Sequence, residues 1–182
     1  MKSDLFSTAV ETGPGLFLVD PIPLTPEAFA ELTGTRQLAG IIVTNANHHR
    51  DSIRQADCLS LPLFARLDAA LSQEVQLLRK VDSGDLIGGE LLTIAIEGAV
   101  QGEIALHHQP DGGTMIVGDT LINFEPYGFS FLPAKYCSNA KQMRLSLRQL
   151  LDFEFERMLF AHGTPLLKSA RQHLERLLSS GG

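Results

Sequence analysis

The chain has 182 residues, 44% of them hydrophobic and 20% charged, with a net charge of −6. A chain this long buries about 70% of its unfolded surface in one core, so a single domain without disulfide staples is expected. The acidic balance and the lack of a dense Lys/Arg cluster exclude a nucleic-acid-binding face. The longest apolar runs are strand-length, so no membrane partner is expected.

Leu5 to Val10 alternates loosely and reads as a strand. A Glu11-Thr12-Gly13-Pro14-Gly15 turn joins it to a second strand, Leu16 to Val19, which ends in Asp20-Pro21. Thr25-Pro26-Glu27 opens a helix, with Thr as N-cap and Pro at the first helical position, and Gly34 stops it. Gly40 to Thr44 is β-branched and apolar, which predicts a buried strand. A further helix is expected from Asp51, whose carboxylate the helix dipole would favour. Leu61 to Ala65 reads as a short edge strand because it contains Pro62. Arg66 to Lys80 carries Leu67, Ala70, Leu71, Val75 and Leu78 at helical spacing, so an amphipathic surface helix is predicted.

After the turn at Asp82 to Asp85 come three strands in series, Glu90 to Ile96, Glu103 to His107 and Thr114 to Val117. Their Gly-rich connections predict antiparallel pairing. Phe124 to Asn139 reads as irregular, Ala140 to Phe155 as a helix, Arg157 to Ala161 as a strand and Leu166 to Leu178 as a closing helix. His107 and His108 are adjacent on a strand and face opposite sides, so they are expected to form a solvated hairpin end rather than a metal pair. Cys58 and Cys137 lack metal-motif spacing and are expected to be unpaired thiols of a reducing compartment. With no visible signal segment, the expected location is the cytoplasm.

Three strand ends carry polar residues capable of chemistry. Ile41-Ile42-Val43-Thr44 runs into Asn45-Ala46-Asn47-His48-His49-Arg50-Asp51-Ser52. Val117 runs into Gly118-Asp119-Thr120-Leu121, and Ala161 into His162-Gly163-Thr164. In order and context the three resemble the motifs of the metallo-β-lactamase superfamily, whose signature is His-x-His-x-Asp-His after a strand ending in Thr. The resemblance covers nearly the whole chain. It implies a four-layer α/β-β/α sandwich with a site along one edge of the sheets, and it gives Asp20 the role of bracing the metal loop from behind.

Aligned on that signature, Asn47, His49, Asp51 and Ser52 take the ligand positions, and Ala99 stands where the family has a later His. The resemblance therefore implies that the first metal position is lost, since Ala offers no donor and an Asn oxygen suits zinc poorly. The second position retains Asp51, Asp119 and His162, which could hold one divalent ion, whether zinc, iron or manganese. His49, with Asp51, is then the catalytic expectation: a general base or substrate orienter beside the ion. His48 alternates with His49 and is expected to point away. Two readings stay open, beside a weaker third, an oxidoreductase with a mononuclear iron. One is a mononuclear metal-dependent hydrolase of a small ester, thioester, phosphoester or amide. The other is a metal-free member of the superfamily that binds a ligand or partner, with Asp51 capping a helix and Asp119 and His162 forming a buried ion pair.

Overall fold

A computed structural model describes residues 5–69 and 77–180. The first half builds a five-stranded sheet in the order β1 (Thr8–Thr12), β2 (Gly15–Val19), β3 (Leu38–Ile42), β4 (Leu63–Ala65), β5 (Leu78–Lys80). Helices α1 (Pro26–Thr33) and α2 (Ser52–Leu59) connect its strands. The second half builds another sheet from β6 (Leu86–Ile87), β7 (Leu91–Ala95), β8 (Ile104–His108), β9 (Thr114–Val117) and β12 (Arg157–Phe160), in the order β12-β9-β8-β7-β6. A separate hairpin of β10 (Leu121–Phe124) and β11 (Gly128–Phe131), then α3 (Ala140–Leu147) and α4 (Ala170–Ser180), complete the chain.

The layering follows from the two-residue period of strands. On β2, Phe17 and Val19 face the space between the sheets, where they meet Ile104 and Leu106 of β8 and Ile116 of β9. Leu16 and Leu18 of the same strand, with Ile41 and Val43, face outwards onto Phe29 and Leu32 of α1 and Ala56 of α2. On the other sheet, Ala105, Met115 and Val117 face outwards onto Met143 and Leu147 of α3 and Leu174 and Leu178 of α4. Three apolar clusters therefore separate four layers, helix, sheet, sheet and helix, as expected. Burying each large apolar side chain contributes about 1.5–3 kcal/mol, which makes these clusters the main stabilising term.

Thr25 caps α1 by accepting from the Ala28 N–H at 3.2 Å, and the Gly34 N–H closes it on Ala30 O. Several expectations fail for reasons of tertiary context. β4 is not an edge strand but lies between β3 and β5, and Pro62 precedes it, so no ladder donor is lost. The helix predicted for Arg66 to Lys80 is instead a 3₁₀ turn at Leu67–Ala69 followed by β5, with 70–76 outside the described residues. There Ala69 is pinned against Gly102, where an added Cβ would lie 2.5 Å from Ala69 Cα, and Leu67 is 72% exposed. Half of the segment read as irregular is the β10–β11 hairpin, whose β11 is half-buried throughout and so carries no alternating pattern. The α3 helix passes into a 3₁₀ stretch at Arg148–Asp152. His107 is buried rather than solvated: its ring lies on Phe153 and its Nε2 is 3.0 Å from Glu154 O, because the chain after α3 covers that end of β8. Cys58 and Cys137 are both free. Among the described residues no helix is long and apolar enough to cross a membrane.

β2 runs parallel to β3, and β9 runs parallel to β12. The two sheets are joined at these strand ends by Ile104 N–H donating to Thr44 O at 2.8 Å and Ala46 N–H to Gln101 O at 2.9 Å. The loops after β2, β3, β9 and β12 thus leave from one edge of the sandwich. Leu106 is fully buried between the sheets. Leu106→Ala is expected to lower the unfolding free energy by about 2–5 kcal/mol, read from urea denaturation at unchanged m-value.

Candidate metal centre

Asp20 leaves β2 in the left-handed region, with φ of 48°, and is 3% exposed. Its Oδ1 accepts the Thr44 N–H at 2.8 Å, and its Oδ2 accepts the Thr44 hydroxyl at 2.6 Å. The same Oδ2 lies 2.8 Å from His48 Nδ1. A carboxylate on Nδ1 fixes the imidazole's orientation and presents Nε2 on the other side. That Nε2 is 3.1 Å from Asp119 Oδ1, and His162 Nε2 is 3.3 Å from the same oxygen. Among the described residues, His48, Asp119 and His162 form the one group of three or more His, Cys, Asp or Glu side chains able to hold a metal, with one ligand atom from each lying within 4.8 Å of the others.

Asp119 is held from several sides. Its Oδ2 accepts from Asn47 Nδ2 at 3.3 Å, which leaves Oδ1 to the two imidazoles. Its backbone N–H donates to Glu103 Oε1 at 2.8 Å. Glu103 is fully buried and also accepts from the Thr120 N–H and hydroxyl and, through Oε2, from Asn45 Nδ2 at 2.7 Å. One carboxylate therefore joins the loop after β3 to the loop after β9. Gly118 permits this approach, since a Cβ there would meet Thr44 Oγ1 at 2.6 Å and Glu103 Oε1 at 2.7 Å. Gly163 does the same after β12, where a Cβ would collide with Asn123 O.

The charges are tightly coupled. Burial works against a charged His48, but the Asp20 and Asp119 carboxylates outweigh it and push its pKa up to about 10. Burial likewise works to raise Asp119, yet His162 and His48 hold it well below the usual carboxylate range. Burial, with the Asp119 charge, pushes Glu103 up to about 8 against the donors around it. His48 Nε2, although close to Asp119, is buried and makes no aligned hydrogen bond.

Of the residues expected at the metal, Asp119 and His162 come together and Asp51 does not. Its carboxylate is taken by Arg54 Nε at 2.6 Å and Gln55 Nε2 at 2.8 Å, at the start of α2. Asp51 occupies the N-cap position but makes no side-chain cap bond, because Arg54 and Gln55 draw the carboxylate sideways. His49 is not in that group either: its Nε2 is 3.1 Å from Ala69 O. The residue that enters is His48. Strand alternation does not extend this far, because β3 ends at Ile42 and the chain bends at Asn45 and turns at 46–47 before His48, with Arg50 at φ of 37°. The signal that could have found His48 is its spacing of four from Thr44, which places both side chains on the Asp20 carboxylate.

No family model matches the sequence, and no curated relative does. The chain has the metallo-β-lactamase fold, shown by its likeness to solved structures. One is TTHA1623 in a di-iron-bound form, 21% identical, with a TM-score of 0.65 over 91% of this chain and 93% of that one. Another is the DIM-1 metallo-β-lactamase, 14% identical, with a TM-score of 0.74 over 97% and 87%. A third is the metallo-β-lactamase family protein TTHA1429 from Thermus thermophilus, 16% identical, with a TM-score of 0.64 over 94% and 72%.

Glu103→Ala leaves four buried donors without their acceptor, so a loss of about 3 kcal/mol or more in unfolding free energy is expected by chemical denaturation. Arg54 lowers the Asp51 pKa chiefly through its hydrogen bonds. That pair stabilises the fold above the carboxylate's unfolded pKa, and the contribution fades as pH falls through the depressed value. In carbon-detected NMR titration, Arg54→Ala should move the Asp51 midpoint upwards.

Proposed function

We propose that the chain is a metal-dependent hydrolase that holds one divalent ion on His48, Asp119 and His162. The observation that carries this is the buried His48 Nε2, aimed at Asp119 and His162 by the Asp20 carboxylate yet without an aligned hydrogen bond of its own. Two imidazoles and one carboxylate suit zinc with an open position, and equally iron or manganese. The cluster also contains two buried carboxylates, Asp20 and Asp119, whose charge a bound ion would meet in place of the proton on His48. When bound, an ion here would polarise a carbonyl or phosphoryl oxygen and lower the pKa of water. The di-iron form of TTHA1623 shows that a protein of this fold binds iron, which supports the same kind of ion here.

The chain's own residues do the rest. Asp20 orients His48, Asn47 holds Asp119 Oδ2, and Glu103 fixes the Asp119 backbone. His162 and Asp119 open onto a cleft of about 750 Å³, walled by Ile122, Phe124, Tyr127 and Lys135 among others. That volume is ordinary for a small-molecule site. An ester, thioester, phosphoester or amide lying in it would bring its reacting group to the cluster and its apolar part against Phe124 and Tyr127.

Metal analysis of protein purified without chelator, then reloaded with zinc or iron, tests this reading. Close to one equivalent is expected for the wild type and for Asp51→Ala, and background for His48→Ala and Asp119→Ala. Loss of metal in Asp51→Ala with retention in His48→Ala would overturn the assignment. Background metal in the wild type would point to a metal-free role.

A further inference from the structure

We infer that Arg50 is a positioning residue, the clasp that sets the spacing of His48 and His162 through the backbone of the N-terminal segment. This rests on the metal site proposed above, and it assigns a role to a residue outside the ligand set. Arg50 Nη1 carries two hydrogens and meets two carbonyls, Phe6 O at 2.6 Å and Asp20 O at 3.0 Å. Phe6 N–H in turn donates to Ala161 O at 3.0 Å, directly before His162. Asp20 is the residue whose carboxylate holds His48. The contacts form a circuit: His48, Asp20, Arg50, Phe6, Ala161 and His162, closed where both imidazoles meet Asp119 Oδ1. Ser7 reinforces it, since its hydroxyl donates to Asp20 O at 2.7 Å and accepts from the Ile22 N–H at 3.0 Å.

Two further observations mark Arg50 as a built feature. Its backbone sits at a φ of 37°, an uncommon conformation for a long side chain, and it is that turn which starts the side chain towards Asp20 and Phe6. No carboxylate pairs with its guanidinium among the described residues, and its Nη2 is buried without a partner. Its hydrogen bonds go to carbonyls, and through them it acts on the position of two loops that lie on different sheets, while the Asp20 and Asp119 carboxylates favour its charge through space. Neither β2 nor β12 shares a ladder with the other, so the sheets alone do not fix the distance between Asp20 and Ala161.

Three variants separate the clasp from general stability. Arg50→Asn keeps a residue tolerant of the left-handed backbone and removes the guanidinium. Phe6→Pro removes the single N–H that reaches Ala161, and Phe6→Ala removes the side chain but keeps both backbone bonds. Cobalt(II) affinity is read from its visible absorption on metal-free protein. Arg50→Asn and Phe6→Pro are expected to weaken cobalt binding about 10- to 100-fold, the usual cost of losing a group that orients ligands, while Phe6→Ala stays within about 2-fold. Wild-type affinity in both Arg50→Asn and Phe6→Pro would overturn the clasp and leave the metal reading intact.

No cobalt uptake by the wild type would overturn the metal reading, and the clasp is then judged on the metal-free protein. There the His48 Nδ1–H on Asp20 is followed as a slowly exchanging imidazole proton by NMR. It should exchange faster in Arg50→Asn and Phe6→Pro but not in Phe6→Ala. Unchanged exchange in those two variants would sink the clasp on its own terms.

Discussion

The carboxylate of Asp20 is the contact on which the rest of the site depends. It is buried, so its charge must be met by donors, and it finds them in the Thr44 N–H, the Thr44 hydroxyl and His48 Nδ1. Hydrogen bonds to a charged group contribute about 1.5–3 kcal/mol each, enough to impose a conformation on a short loop. The loop after β3 is therefore not free to choose which of its two histidines faces inward. Thr44 and His48 are both captured, and His49 is left to bond the Ala69 carbonyl.

The scaffold supplies the other half of the geometry. Two sheets packed on Phe17, Ile42, Leu106 and Ile116 deliver four strand ends to one edge. Gly118 and Gly163 let the ends of β9 and β12 approach their neighbours within distances that no Cβ would allow. Glu103, buried at the start of β8, accepts from both the Asn45 side chain and the Asp119–Thr120 backbone. A buried carboxylate with four donors is costly to desolvate but hard to misplace, and the position of Asp119 gains from that rigidity.

Much of this was legible in the chain itself. The continuous apolar runs Leu16 to Val19 and Ile41 to Val43 mark strands buried on both faces, and the Thr25-Pro26 and Gly34 pair marks α1 within a residue. Asp119 and His162 were legible because each lies only two residues past the end of a strand, Val117 and Phe160, where the rigid sheet still fixes the backbone. His48 was not, because it lies several residues beyond β3, where turn geometry replaces alternation and Asp20, 28 residues earlier in sequence, decides the outcome. Asp51 misled for a related reason: local contacts with Arg54 and Gln55, one turn on, won over a long-range role. The two described ends of the helix read across 66–80 show the limit of apolar periodicity, since Leu67 has the right spacing yet lies exposed in a 3₁₀ turn and Leu78 lies in a strand.

In the proposed site His48, rather than Asp51, joins Asp119 and His162 around one ion. Anomalous diffraction at the zinc edge from crystals of the zinc-loaded protein tests it most directly. A single strong peak is expected at coordination distance from His48 Nε2, Asp119 Oδ1 and His162 Nε2. A peak beside Asp51, or none near Asp119 at full zinc loading, would contradict it.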